Sequence, residues 1–357
     1  MKAARVVLWA LAGVGLLASF LHLAAHYALF PAGSPLSGAS YVPPSWLGAL
    51  VLPVALGCWL ARARKASVAL LASFAFGVLP HADFSWRSEA RRPNPAASRL
   101  SVVALNVQYY SFGIQKVVQA LKQIDADVAL LSENVLDESQ AQEVSAALHP
   151  SSFRMGKSGE TAIVSKYPLL EFKEVELPTL QASLSGPSHF EQGESKIHRS
   201  FSHAVIDVGG ASVNVLSVRL IAGRAPAADL ITQVDWGLYL LRSQNSEVEF
   251  LRSYLAQLKG PFVIGGDLNA PPSAPAIQSL GVVAKDAYLA THHLGKATFR
   301  VQAPLLRLDY VFASRELMPI SARRVDVEVS DHFPVFAEFQ LSSQHEQAST
   351  RSSKLGP

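Results

Sequence analysis

An acid and an amide stand two residues apart at the end of a short apolar run, Phe262-Val263-Ile264-Gly265-Gly266-Asp267-Leu268-Asn269-Ala270. Val263 and Ile264 suit a buried strand, the two glycines let the backbone turn or be closely approached, and strand alternation points Asp267 and Asn269 the same way. A carboxylate there can orient a water or take its proton, and a neutral amide can donate to an oxygen on which charge builds up. On its own, Gly-Asp-Leu-Asn is equally well a strand closing in an Asx turn. The partners elsewhere in the chain decide between the two.

Similar side chains recur at other predicted strand ends. Val102–Leu105 delivers Asn106, and Val128–Leu131 delivers Ser132-Glu133-Asn134. Ser212–Val218 runs into Arg219, Asp309 is embedded in Leu308–Ala313, and Ser330-Asp331-His332-Phe333 precedes the last strand. Hard oxygen ligands with one imidazole suit a magnesium-type ion, Mg2+ or Mn2+, together with a phosphate ester. His189 and His198 lie in the polar stretch 181–199 and read as solvated side chains.

The elements that must position these residues form one domain over residues 100–341, about 240 residues long. Ile114, Val117, Val118, Leu121 and Ile124 recur at helical spacing between the strands that carry Asn106 and Glu133. Strand, helix and strand of these lengths make a crossover unit, which sets Asn106 and Glu133 side by side at the carboxyl ends of neighbouring strands, where open sheets hold ligands. Gly209-Gly210 predicts a hairpin, Leu238–Leu258 a helix feeding the strand of Asp267, and 274–280 a further short helix. Residues 84–99, with Pro93, Pro95 and several arginines, read as a linker, and 342–357 as a disordered polar tail.

The N-terminal part, 1–83, has a different character. The 49% hydrophobic content is concentrated in three apolar runs near 6–25, 46–61 and 67–80, which predict about three transmembrane helices and a multi-pass protein of a bacterial-type inner or plasma membrane. Lys2 and Arg5 precede the first run, and Arg62, Arg64 and Lys65 separate the second from the third. The positive-inside rule then places the C-terminal domain on the extracytoplasmic side. The single cysteine, Cys58, lies in the second run, which excludes an internal disulfide and a cysteine metal site or nucleophile downstream. Net charge is +3 without a clustered basic face, so no nucleic-acid footprint is visible.

Taken in order, these motifs resemble the endonuclease/exonuclease/phosphatase superfamily of deoxyribonuclease-like, metal-dependent phosphoesterases. The resemblance rests on Gly265-Gly266-Asp267-Leu268-Asn269 and Ser330-Asp331-His332-Phe333-Pro334-Val335. Leu105-Asn106-Val107, Leu131-Ser132-Glu133, Ala162–Pro168 and Leu308-Asp309-Tyr310-Val311 support it. It implies an α+β fold, a four-layer α/β/β/α sandwich of two sheets with helices outside. It also implies Glu133 as principal metal ligand with Asn106 in support and Asp331 in or beside the metal site. Asp267 would act on the attacking water, Asn269 on the scissile phosphate, and His332 on the phosphate with Asp309 orienting it.

Two positions depart from the pattern. Ser132 stands where many members have Gln, and Arg219 where many carry His and some Tyr. Arginine stays protonated and cannot transfer a proton, although its fork can clamp a phosphate. The implied function is membrane-anchored, metal-dependent hydrolysis of a phosphodiester or phosphomonoester by in-line water attack. The partners are the lipid bilayer and a phosphate-ester substrate (nucleic acid, lipid headgroup or small phosphoester), and no protein partner is implied. The alternative is a weak or inactive relative that binds a phosphorylated ligand or lipid headgroup, with Arg219 as the sign of lost chemistry.

Overall fold

The computed structural model describes residues 2–26, 35–78, 83–85, 94–95, 97–178, 199–222, 230–292, 294–302 and 305–341. The apolar N-terminal runs form helices α1 (Lys2–His26), α2 (Pro44–Leu60) and α3 (Arg64–Ser73), the last continued by a π-helical turn over Phe74–Val78. They pack on one another through Ala12, Val51, Ala55, Cys58, Ala66 and Leu70, while Trp9, Leu17, Phe20, Leu56, Trp59 and Val68 face outward. Three transmembrane helices are not supported. Among the described residues one helix, with its apolar stretch Val6–Ala25, is long and apolar enough to cross a membrane. The 17 residues of α2 reach only about 25 Å against a hydrocarbon core of about 30 Å, and the third run breaks into a short helix and a turn. The multi-pass expectation therefore reduces to one candidate span.

The rest of the chain runs in order through β1 (Arg99–Asn106), α4 (Ile114–Ile124), β2 (Val128–Ser132), α5 (Glu138–Leu148), β3 (Ser152–Met155), β4 (Thr161–Ser165), β5 (Leu169–Glu176), β6 (Ser200–Val208) and β7 (Ala211–Ser217). It continues through α6 (Leu230–Gln257), β8 (Phe262–Asp267), α7 (Pro275–Val283), β9 (Lys285–Asp286), α8 (Ala287–Thr291), β10 (Asp309–Ala313), β11 (Leu317–Arg324) and β12 (Val335–Leu341). The strands make two six-stranded sheets, β11-β12-β1-β2-β4-β3 and β5-β6-β7-β8-β10-β9.

Alternation along each strand builds the layers. In β1, Leu100, Val102 and Ala104 meet Ala204, Val215, Val263 and Val311 of the other sheet, while Val103 and Leu105 turn outward to Val117, Val118 and Leu121 of α4 and Val144 of α5. In β8, Val263 faces the other sheet, and Ile264 faces Val248, Leu251 and Leu255 of α6 and Ile277 of α7. The result is helices, sheet, sheet, helices. A buried ion-paired joint fastens residue 83 to this body: Arg307 reaches Asp83 at 2.8 Å and both oxygens of Asp286 at 2.7 Å.

Register brings the polar strand ends together. β1 and β2 are parallel with Asn106 opposite Ser132, as a crossover through α4 requires. β8 and β10 are antiparallel with Asp267 directly opposite Asp309. Gly266 is where backbones crowd: its φ is +139°, and an added Cβ would lie 2.0 Å from the Val218 carbonyl oxygen. Gly266→Ala is expected to cost about 3 kcal/mol through this clash, read as a fall in the midpoint of thermal unfolding. An unchanged midpoint would contradict the packing.

The histidines His189 and His198 and the tail 342–357 lie outside the described residues, as does most of the expected linker.

Candidate active site

Asp267 lies at the junction of the two sheets. Its Oδ2 accepts from Asn106 Nδ2 at 3.0 Å, which bridges from β1 to β8, and its Oδ1 accepts from the Asn269 backbone N–H at 3.0 Å. The second bond is an Asx turn, so the motif is both a structural turn and a member of a polar cluster. Asn269, at φ +48°, donates its own amide to the Leu220 carbonyl at 2.9 Å, which uses that side chain to pin the neighbouring loop.

His332 approaches the same carboxylate, with Nε2 3.9 Å from Asp267 Oδ2 and 3.9 Å from Asp331 Oδ1. Its Nδ1 meets Asp309 Oδ2 at 2.8 Å, and Phe299 covers the ring at 4.7 Å between centroids. Burial opposes a charge on this imidazole, but Asp309, then Asp267, the hydrogen bond to Asp309 and Asp331 push its pKa up to about 10. Asp267 is fully buried, which raises its pKa. Asp309 adds to this, while His332 and Arg219 oppose it. His332 thus remains an imidazolium through neutral pH, beside an acid with more than ordinary basicity.

A pH dependence of stability follows. The folded pKa of His332 lies above its ordinary 6.5, so its contribution is fully present below pH 6.5 and is lost as pH rises through about 10. Urea unfolding of metal-free protein between pH 6.5 and 10.5 is expected to show this alkaline decline, and His332→Gln to flatten it. An identical decline in that variant would remove His332 as its source.

Glu133 follows β2 at φ +54° and lies beside Tyr109, whose N–H donates to the Glu133 carbonyl at 3.0 Å. Gln108, Tyr109 and Tyr110 are all in the left-handed region, a turn held by Gln108 N–H on Asn106 Oδ1 at 2.8 Å. It leaves Tyr109 at the edge of an open groove of about 480 Å³ lined also by Phe112, Ile114, Val135 and Leu136.

The Glu133 carboxylate is engaged by Arg219, whose Nη2 donates to Glu133 Oε1 at 2.7 Å and Nη1 to Glu160 Oε1 at 2.9 Å. Burial works against this guanidinium, yet Glu133, Asp267 and Glu160 keep it firmly charged. Glu160 also pairs with Arg199, which reaches Glu247 of α6 at 3.1 Å and the Arg219 carbonyl at 2.9 Å. Nothing in the sequence marks Glu160, Arg199 and Glu247, since no motif distinguishes them from surface charges.

The site therefore gathers Asn106, Asp267, Asp309, Asp331 and His332 in one cluster and ties Glu133 to Arg219. Asp267, Asp309 and His332 offer ligand atoms within 4.8 Å of one another. Asp309 Oδ1 is buried with no hydrogen-bond partner among the described residues, a polar atom that a hard cation or a bound water would satisfy. The carboxylate oxygens gathered here, with those of Asp331 and Glu133, are hard donors that fit a divalent ion, whereas His332, held as an imidazolium, has no lone pair free to ligate one.

The model for the Endonuclease/Exonuclease/phosphatase family matches residues 103–332. The chain belongs to this family. Its members are usually metal-dependent phosphoesterases. An endonuclease/exonuclease/phosphatase from Bacteroides vulgatus is similar in structure, with 17% identity and a TM-score of 0.53 over 69% of this chain and 100% of its own. One from Beutenbergia cavernae has 18% identity and a TM-score of 0.48 over 69% and 72%. D. rerio TDP2 complexed with single strand DNA product has 15% identity and a TM-score of 0.49 over 68% and 99%. At such identities the first likeness speaks for the shared fold alone, and the other two add nothing to it. No curated protein matches the chain.

Proposed function

We propose that this family member is a divalent-metal-dependent phosphoesterase that hydrolyses a phosphodiester or phosphomonoester by in-line attack of water on phosphorus. The observation that carries this reading is the convergence of Asp267 with Asn106 from the opposite sheet at 3.0 Å, beside the His332–Asp309 pair at 2.8 Å. Glu133, Asn106 and Asp331 would hold Mg2+ or Mn2+, which when bound neutralises charge on the phosphoryl oxygens.

The chain's own residues do the rest. Asp267 orients the attacking water and takes its proton at a carboxylate oxygen, helped by a pKa that burial raises. His332 donates from Nε2 to a phosphoryl oxygen, and Asp309 fixes the ring and its charge through Nδ1. Asn269 holds the loop that borders the phosphate and sets Asp267 through its backbone N–H. Arg219 stays protonated and charged, and transfers no proton. The remainder of the ester would lie along the groove past Tyr109 and Phe112.

The apolar outward faces of α1, α2 and α3 support a membrane anchor, with α1 as the spanning helix and the basic N-terminal flank on the cytoplasmic side. One observation favours the alternative, a relative that binds a phosphorylated ligand or lipid headgroup without turnover: Arg219 sits on the carboxylate that a metal would use. Purified protein in detergent, supplied with Mg2+ or Mn2+, should be assayed on nucleic-acid, lipid-headgroup and small phosphoesters. Metal-dependent release of product from one class supports hydrolysis. Metal binding with no turnover on any of them supports the binding-only alternative.

A further inference from the structure

The guanidinium of Arg219 is held at two of its three nitrogens. Nη1 is fixed to Glu160, which belongs to the ion-paired chain through Arg199 to Glu247 of α6. Nη2 donates to Glu133 Oε1 at 2.7 Å. Nε is buried with no hydrogen-bond partner among the described residues, although Arg219 is 8% exposed and such groups are normally paired. Nε and Nη2 form one edge of the guanidinium, the two-pronged edge that fits two oxygens of a phosphoryl group. Half of that edge is spent on Glu133 and half is unspent.

A divalent cation on Glu133 would share the carboxylate with a guanidinium, bringing two positive charges within a few ångströms of one another. The Nη1–Glu160 contact anchors the side chain in place, so the contact to Glu133 is the one that yields. We propose that Arg219 is a counter-ion exchanged between Glu133 and the substrate's phosphate: a metal on Glu133 frees the Nε–Nη2 edge, and that edge receives the phosphoryl oxygens. Metal and phosphate then bind with positive coupling, each removing what obstructs the other. This rests on Glu133 being a metal ligand, as proposed above.

Calorimetric titration of the full chain in detergent micelles with Mg2+, with and without saturating inorganic phosphate, tests the exchange without turnover. In the wild type, phosphate is expected to tighten Mg2+ binding about tenfold. Arg219→Met is expected to bind Mg2+ alone about tenfold more tightly than the wild type, with phosphate then changing affinity less than twofold. Arg219→Lys, which keeps the charge and guards against misfolding of the methionine variant, is expected to lose most of the coupling because it lacks the two-pronged edge.

Coupling that persists in both variants overturns the proposal, as does unchanged or weaker Mg2+ binding by a folded Arg219→Met. A purely electrostatic gain, with coupling intact, counts against it too. Glu133→Gln separates the two layers of the argument. If that variant binds Mg2+ as well as the wild type, the metal-ligand reading fails. If it loses Mg2+ while the Arg219 variants behave as the wild type, only the exchange fails.

Discussion

Asp267→Asn is expected to lower kcat for phosphoester hydrolysis by about 10²–10⁴-fold, the usual worth of a positioned proton acceptor, while the domain stays folded. Asparagine has the shape of the carboxylate and can keep the bond from the Asn269 N–H through its oxygen. It also removes a fully buried acid that stands beside Asp309. Its nitrogen, however, would face the donor amide of Asn106, so the inter-sheet bond is lost and a cost of only about 1 kcal/mol is expected, small enough to separate lost chemistry from lost structure. Steady-state rates with saturating Mg2+ check the first half, and thermal unfolding the second. A variant that is folded and fully active would take Asp267 out of the mechanism.

His332→Ala carries two costs that a second substitution can separate. Removal of the imidazolium deletes a donor to developing phosphoryl charge, for which a loss of about 10²–10³-fold in kcat is expected. It also leaves Asp309 as a buried acid without its counter-charge, at about 3–5 kcal/mol of stability, since Oδ2 loses its bond at 2.8 Å and Oδ1 has no partner among the described residues. The double variant Asp309→Asn/His332→Ala is expected to regain most of the stability and none of the rate. Urea unfolding with parallel rate measurements reads both quantities. Recovery of activity in the double variant would show that His332 serves packing alone.

The architecture was legible where the sequence repeats its signals. Val102–Leu105 and Val128–Leu131 are continuous apolar strands around an amphipathic helix, and they form the parallel pair and crossover that this pattern requires. Elements with few buried side chains were not legible. α5 buries only Val144 and Leu148 and is marked by its Asp137–Gln140 capping box rather than by period. β11 contains Pro319 and a register shift, and β5 alternates charged and apolar residues along an exposed edge. The membrane end misled for a different reason: composition marks apolar helices, but length and breaks decide which can span, and α2 and α3 are short.

At the site, the strand-end residues Asn106, Asp267, Asp309 and His332 do meet, because register places Asp267 opposite Asp309 and Asn106 bridges the sheets. The Arg219–Glu160–Arg199–Glu247 chain was invisible. Its members come from β7's end, a loop, the approach to β6 and a helix, and carry no shared spacing. In the sequence Arg219 stands out only as a departure from the family pattern, and the residue type does not carry its contact with Glu133.

The most direct measurement is the rate of hydrolysis by metal-stripped protein as Mg2+ or Mn2+ is added back. The proposed mechanism predicts no turnover without the ion, a saturable rise with it, and no rise in Asp267→Asn. Equal turnover without metal would contradict it, and so would saturable metal binding that brings no turnover on any phosphoester.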